Sequence, residues 1–298
     1  MQLSPLSSRE KDAEAGTRLL VNAEDENTFD EKSRASGGEA LVPCTTQIFW
    51  LVVWMANNIL VTITNKASFA KVNFNYPFAL STIHMAFNIV GAQIFFKFSK
   101  IKPKVIEGSK NLRSIMIFSV IFALNIAVGN ASLSYVSVSF NQVCRSMVPV
   151  VVMGMSIIYF GKSYSNIRKL SILPIVCGVA LAVWGDMSYT VIGAFSTFVC
   201  VILAALKSVS AGELLTGDLK LHEMDLLSKM CPYALVQIAF LGCIKGEFQD
   251  IYENFDTIFN DTTTPRVIAL SALLSFTLNA SSFVANKVTS PLTLSIGA

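Results

Sequence analysis

Arg145 is the residue whose type and place most need a chemical reason. It stands in Asn141-Gln142-Val143-Cys144-Arg145-Ser146-Met147-Val148-Pro149, within an apolar block from Ser139 to Phe160 that holds no acidic residue. A charge near the centre of a membrane helix costs about 2.5–3.5 kcal/mol on insertion scales, so such an arginine reads first as functional. Asn141 precedes it by four residues and Gln142 by three, a spacing that predicts one shared helical face. Pro149 lacks an N–H, which leaves the carbonyl of Arg145 without its helical partner and favours a kink there. A guanidinium, two amides and a freed carbonyl on one face suit a phosphate, which arginine grips with two parallel donors. The competing reading is an arginine that snorkels to the interface or stacks on an aromatic ring.

Other basic and polar residues could assist. Lys207 lies in a later apolar block about two turns from its end, where snorkelling is the alternative. Lys66 follows Asn65, and Lys287 follows Asn286, each at the end of a block. Both suit interfacial anchors or guards of a solute path. Tyr135, between two blocks, could stack a base or sugar, or sit as an interfacial tyrosine. Asn130, just before that turn, joins them as a candidate substrate-binding residue. The block interiors hold no Asp or Glu, with Asp186 and Glu213 at block ends, so His84 is the single internal candidate for a proton relay. Exchange of one anion for another needs no relay and is favoured. No metal-ligand spacing, nucleophile elbow or phosphate-cradling glycine loop is present, so neither an enzyme nor a cofactor is expected. The six cysteines lack paired short spacing and read as apolar filler.

The elements that must position these residues are membrane helices. Apolar residues make up 53% of the 298 and charged residues 14%, against about 25% charged in soluble domains. The net charge of +3 averages a charged tail and loops with nearly neutral blocks, so nucleic acid is excluded as a partner. Residues 1–45 read as a disordered tail and 46–298 as the membrane domain. Eight blocks run roughly over 47–64, 77–98, 114–132, 139–160, 170–184, 190–207, 226–243 and 267–285, with a ninth starting near Ser290. Spanning backbone must satisfy its own hydrogen bonds, so each block is predicted to be a helix. Leu133 to Val138 is too short for more than a tight turn, which makes the third and fourth blocks an antiparallel hairpin. With the tail in the cytosol, 16 Lys and Arg fall on the cytosolic side and four opposite, which fixes the orientation under the positive-inside rule. The glycosylation sequon Asn260-Asp261-Thr262 then lies on the non-cytosolic side. Asn130-Ala131-Ser132 recurs as Asn279-Ala280-Ser281, an echo that fits two five-helix halves in inverted orientation. On that plan the chain stops within the ninth helix.

The chain resembles the triose-phosphate translocator and nucleotide-sugar transporter branch of the drug/metabolite transporter superfamily. The resemblance covers roughly Gln47 to Ala298. It rests on Asn65-Lys66 with Tyr76-Pro77, on Ser139 through Pro149, on Tyr164-Ser165 leading into Leu170 through Val179, and on Thr289-Ser290-Pro291-Leu292-Thr293. It implies an all-α, ten-helix inverted-repeat (5+5) bundle, here truncated in helix nine, working by alternating access from a central cavity. It also implies that Arg145 matches the basic residue of the fourth helix that grips phosphate, and Lys66 the lysine near the first span. Ile126 and Gly129 stand where sugar-phosphate members have His and Thr, and the later basic residues of the ninth helix would fall beyond Ala298.

The reading that follows is an antiporter in the Golgi or endoplasmic reticulum with a cytosolic N-terminus. It would exchange a nucleotide sugar or sugar phosphate for the nucleotide monophosphate or phosphate. Its partners are that anionic solute, the lipid bilayer and, as an option, a second copy in a homodimer. Two rivals stay open: a proton-coupled metabolite exporter dependent on His84, and a non-transporting scaffold or inactive fragment.

Overall fold

A computed structural model describes residues 42–296, apart from positions 71, 73, 107, 133, 134, 162 and 186–189. The tail, Asp186 and the last two residues of the sequence therefore lie outside the described residues. Among the described residues seven helical stretches are long and apolar enough to span: α1 (Cys44–Ala70), α2 (Pro77–Phe98), α3 (Ser109–Ser132), the pair α4 (Val138–Arg145) and α5 (Val148–Phe160) taken together, α8 (Val191–Thr216), α9 (Glu223–Ile244) and α12 (Thr263–Val288). Between them come α6 (Asn166–Leu170), α7 (Leu173–Gly185), α10 (Glu247–Glu253) and α11 (Phe255–Phe259), and α13 (Pro291–Ile296) follows.

The expected blocks are helices, with three differences. The fifth block, 170–184, is helical only from Leu173, as α7 with Pro174 in its first turn, and its first residue Leu170 ends the separate short helix α6. Thirteen residues at about 1.5 Å each fall short of the roughly 30 Å hydrocarbon layer. The fourth span breaks between Arg145 and Val148, where Pro149 cannot continue the ladder, in line with the kink expected there. Helices α1 and α8 run past their apolar windows, because polar residues extend a helix beyond the lipid-facing stretch. Lys66 is therefore inside α1 and not after it.

Packing joins the long helices in a paired pattern. Helix α12 lies along α1 and α2, while α3 lies along α8 and α9. Helices α2 and α9 pack against one another, as do α5 and α13. The largest buried cluster gathers Phe118, Phe122, Leu215, Leu226, Met230, Ile238 and Phe283 where α3, α8, α9 and α12 meet. Lipid is as apolar as these side chains, so polar contacts must help set helix partners. On the other side Ser271 of α12 donates to Asn65 Oδ1 at 2.6 Å and meets His84 Nε2 at 2.9 Å, linking α12, α1 and α2. Thr277 donates to Asn57 Oδ1 at 2.7 Å, which adds a second tie between α12 and α1.

Outside the spans, Glu247 opens α10 and its buried carboxylate accepts the Ala79 N–H of α2 at 2.8 Å. That contact fastens the α9–α12 connection to the free end of α2. Burial pushes the Glu247 carboxyl above the usual range, outweighing the N–H donors of Ala79 and Phe78 and the nearby Lys245. A carboxyl that holds its proton more tightly when folded adds stability below its ordinary value of 4.5, and this is lost as pH rises through the raised one. Thermal unfolding of the purified protein is expected to show that loss above about pH 4.5, and Glu247→Gln to flatten the slope. An unchanged slope in the variant would remove Glu247 as its source.

Candidate functional site

The site is built where the α3–α4 hairpin meets α8. Tyr135 donates its N–H to the Ser132 carbonyl at 3.0 Å, which closes the turn. Ser137 then caps α4 by accepting the Phe140 N–H at 3.1 Å. Helix α4 ends at Arg145, so the break ahead of Pro149 holds the guanidinium at a helix terminus inside the bundle.

The guanidinium is directed at α3 and α8. Its Nη2 lies 3.9 Å from Cys200 Sγ on α8, and a β-carbon on Gly129 of α3 would stand 4.0 Å from the same nitrogen. Gly129 therefore leaves room on the α3 side for a group bound to Arg145. Asn125, one turn before Gly129, donates to the Cys200 carbonyl at 3.2 Å and holds α3 against α8. Lys207 is two turns past Cys200 along α8, with its Nζ 4.8 Å from the ring centre of Phe122, two turns before Gly129 on α3. The two cations thus lie along one interhelical seam and repel each other across it. Among the described residues no carboxylate pairs with either, the lysine–carboxylate pairs there being Lys229–Asp225 and Lys287–Glu223. Two cations with no acid partner in a low-dielectric seam favour an anionic ligand.

The three residues expected on one face of α4 point three ways. Asn141 is 3% exposed and donates to Ser132 Oγ at 2.7 Å, which ties α4 to the end of α3. Gln142 is exposed and lines a cleft with Asn58, Ile59, Thr62 and Ile63 of α1. Arg145 alone faces the α3–α8 seam. At about 100° per residue the trio covers a broad arc, and a helix packed on α7 and α8 and tied by Asn141 to the end of α3 divides that arc among its surroundings.

The remaining candidates are spread out. Tyr135 is half exposed at the turn, where its carbonyl accepts the Thr190 hydroxyl at 3.3 Å. Lys287, in the last turn of α12, sits 3.1 Å from Glu223 Oε1. Lys66 and Asn130 have backbone in α1 and α3, but their side chains lie outside the described residues. The structure also brings in Asn58, Thr62, Phe122, Asn125 and Cys200, none of them singled out from the sequence. A signal existed for two of them: Asn58, Thr62 and Asn65 recur at i, i+4 and i+7, a polar line on an apolar helix.

Comparison with known proteins finds the chain similar to transporters. The chain is 28% identical over 247 residues to a GDP-mannose transporter of Arabidopsis thaliana, covering 83% of this chain and 72% of that one. It is 28% identical to UDP-galactose transporter 1 of the same plant, over 83% of this chain and 73% of the relative. It is also 31% identical over 252 residues to a probable sugar phosphate/phosphate translocator of that plant, over 83% of this chain and 68% of the relative. The model of the Triose-phosphate Transporter family matches residues 46–298. A match over that much of the sequence, with seven candidate membrane spans and no strand among the described residues, makes the chain a member of the Triose-phosphate Transporter family.

Proposed function

We propose that the protein is an antiporter that exchanges a nucleotide sugar or sugar phosphate for nucleotide monophosphate or phosphate. The observation that carries this is the Arg145 guanidinium, set at a helix break and aimed at the α3–α8 seam with no acid among the described residues to neutralise it. Lys207 assists from the same seam. Gln142, Asn58 and Thr62, in a separate cleft between α4 and α1, offer neutral donors and acceptors for hydroxyls or a base. The relatives' names include both nucleotide sugars and sugar phosphates, and both classes carry the phosphate that Arg145 would hold.

Alternating access is supported by the mirrored packing. Interchanging α1, α2 and α3 with α8, α9 and α12 turns the α1–α12 contact into α8–α3, and α12–α2 into α3–α9. Each of these partners is present. The echo Asn130-Ala131-Ser132 and Asn279-Ala280-Ser281 lies on the two helices, α3 and α12, that such an operation interchanges. The uneven loop charge supports a cytosolic N-terminus, in a Golgi or endoplasmic reticulum membrane.

The test is counterflow into proteoliposomes preloaded with GMP, UMP or inorganic phosphate, with labelled GDP-mannose, UDP-galactose and a triose phosphate offered outside. Uptake of at least one that depends on the preload is the expected result. Uptake that ignores the preload, or follows a pH gradient alone, would overturn exchange.

A further inference from the structure

The ends of α9 and α12 hold a contact that the anion seam does not use. Glu223, the first residue of α9, is 8% exposed. Its Oε1 meets Lys287 Nζ of α12 at 3.1 Å and its Oε2 meets His222 Nδ1 at 3.3 Å. The His222 ring stacks on Phe95 of α2, centroids 5.7 Å apart. Two residues on, Asp225 accepts the Lys104 N–H at 2.9 Å, and Lys104 Nζ donates to the Leu219 carbonyl at 2.7 Å. The start of α9 is thereby fastened to α2, to the α2–α3 connection and to α12. This end of the bundle carries most of the loop lysines and can be called its basic face.

The cleft beside Gln142 lies elsewhere, midway along α1 between the exposed Ile59 and Ile63. The Glu223–Lys287 pair instead ties the helix ends together at the basic face. This end is also joined to the seam. Asn286, next to Lys287, donates to the Ser208 carbonyl at 2.9 Å, and Ser208 adjoins Lys207. Asn286 Oδ1 is buried with no partner, so this junction retains a free acceptor facing the interior.

We propose that Glu223 is a positioning residue for transport: it is the resident anion of Lys287, and their pair shuts the basic face while the seam is empty. A solute anion entering the seam competes with Glu223 for Lys287, and that competition is what opens this end. The inference rests on the carrier reading above. A buried carboxylate stripped of its lysine is strongly destabilised, so the empty protein holds the pair and stays shut. A bound anion supplies the negative charge that Lys287 would otherwise lack. Opening then follows occupancy, which makes transport an exchange and suppresses net leak.

The experiment compares exchange with net efflux of preloaded labelled nucleotide from proteoliposomes, for the wild type, Glu223→Gln, Lys287→Gln and the double swap Glu223→Lys/Lys287→Glu. Each single variant is expected to lower the ratio of exchange to net efflux by about tenfold or more, and the swap to restore it. Single variants that keep the wild-type ratio, or a swap as leaky as either one, would overturn the proposal. If one single variant fails to fold, the other decides. Should the wild type carry none of the solutes offered, the carrier reading fails first and visibly. The gate is then read without solute, from Ser208→Cys labelled by a membrane-impermeant thiol reagent applied at the basic face. Labelling in the Glu223→Gln background and protection in the wild-type background support the gate, while equal labelling overturns it.

Discussion

Arg145→Ala is expected to lower exchange by about a hundredfold or more while leaving the protein inserted and folded, since loss of one preorganised charged donor commonly costs 10²–10³. The separation of the two effects is what gives the result meaning. Arg145 makes no ion pair among the described residues, and its one polar contact there is the weak one to Cys200 Sγ. Removing it therefore strands no buried carboxylate. Removing a charge from a span also lowers the insertion cost, by about 2.5–3.5 kcal/mol. Arg145→Lys keeps the charge but loses the planar fork, so it should retain a measurable fraction of exchange with a raised KM. Monodispersity and thermal midpoint serve as the folding controls. Normal exchange by the alanine variant in proteoliposomes would remove the site assignment.

The second large effect is structural and lies at Gly193. Thr190 caps α8 by accepting the Gly193 N–H at 3.1 Å and donates to the Tyr135 carbonyl at 3.3 Å, so the α3–α4 turn rests on the start of α8. A β-carbon on Gly193 would collide with Val136 Cγ1 and stand 2.8 Å from the Tyr135 carbonyl oxygen. The second obstacle is backbone and cannot swing aside. Overpacking of this kind costs about 1–3 kcal/mol. At roughly 2–4 °C per kcal/mol for a chain of this size, Gly193→Ala should lower the thermal midpoint by several degrees. It should also lower exchange, because the displaced turn carries α4 and Arg145 with it. Gly178→Ala is the matched control, since nothing stands within 4 Å of a β-carbon there and no shift is expected. An unshifted midpoint in the Gly193 variant would mean that the hairpin is not seated on α8 as described.

The helices were legible because lipid imposes one requirement on every spanning stretch: a long apolar run with its backbone bonds closed. Where composition and length agreed, as in α2 over Pro77–Phe98, block and helix coincide. Where polar residues continue the helix, as in α1 beyond Thr64 and α8 beyond Lys207, hydropathy placed the end too early. Arg145 and Lys207 stood out because a charge among apolar residues is rare. The split of Asn141, Gln142 and Arg145 was not legible, since it depends on which helices pack around α4, and spacing on one helix carries no such information. Glu223 escaped notice for a related reason. An acid in the first turn of a helix is an ordinary dipole partner, and its lysine lies 64 residues away in sequence.

The side-chain ties inside the bundle between α12, α1 and α2 are uncharged, made of Ser271, Asn65, His84, Thr277 and Asn57. Among the described residues the lysine–carboxylate pairs instead cluster around the first two turns of α9, at one rim of the molecule. Electrolyte should therefore act with a sidedness. Counter-ions screen charges over about 8 Å at physiological ionic strength, and they reach the rim but not the amide and hydroxyl contacts within the hydrocarbon. Raising potassium chloride in the compartment that bathes the start of α9 should loosen that rim, and the same salt on the other side should leave it unmoved.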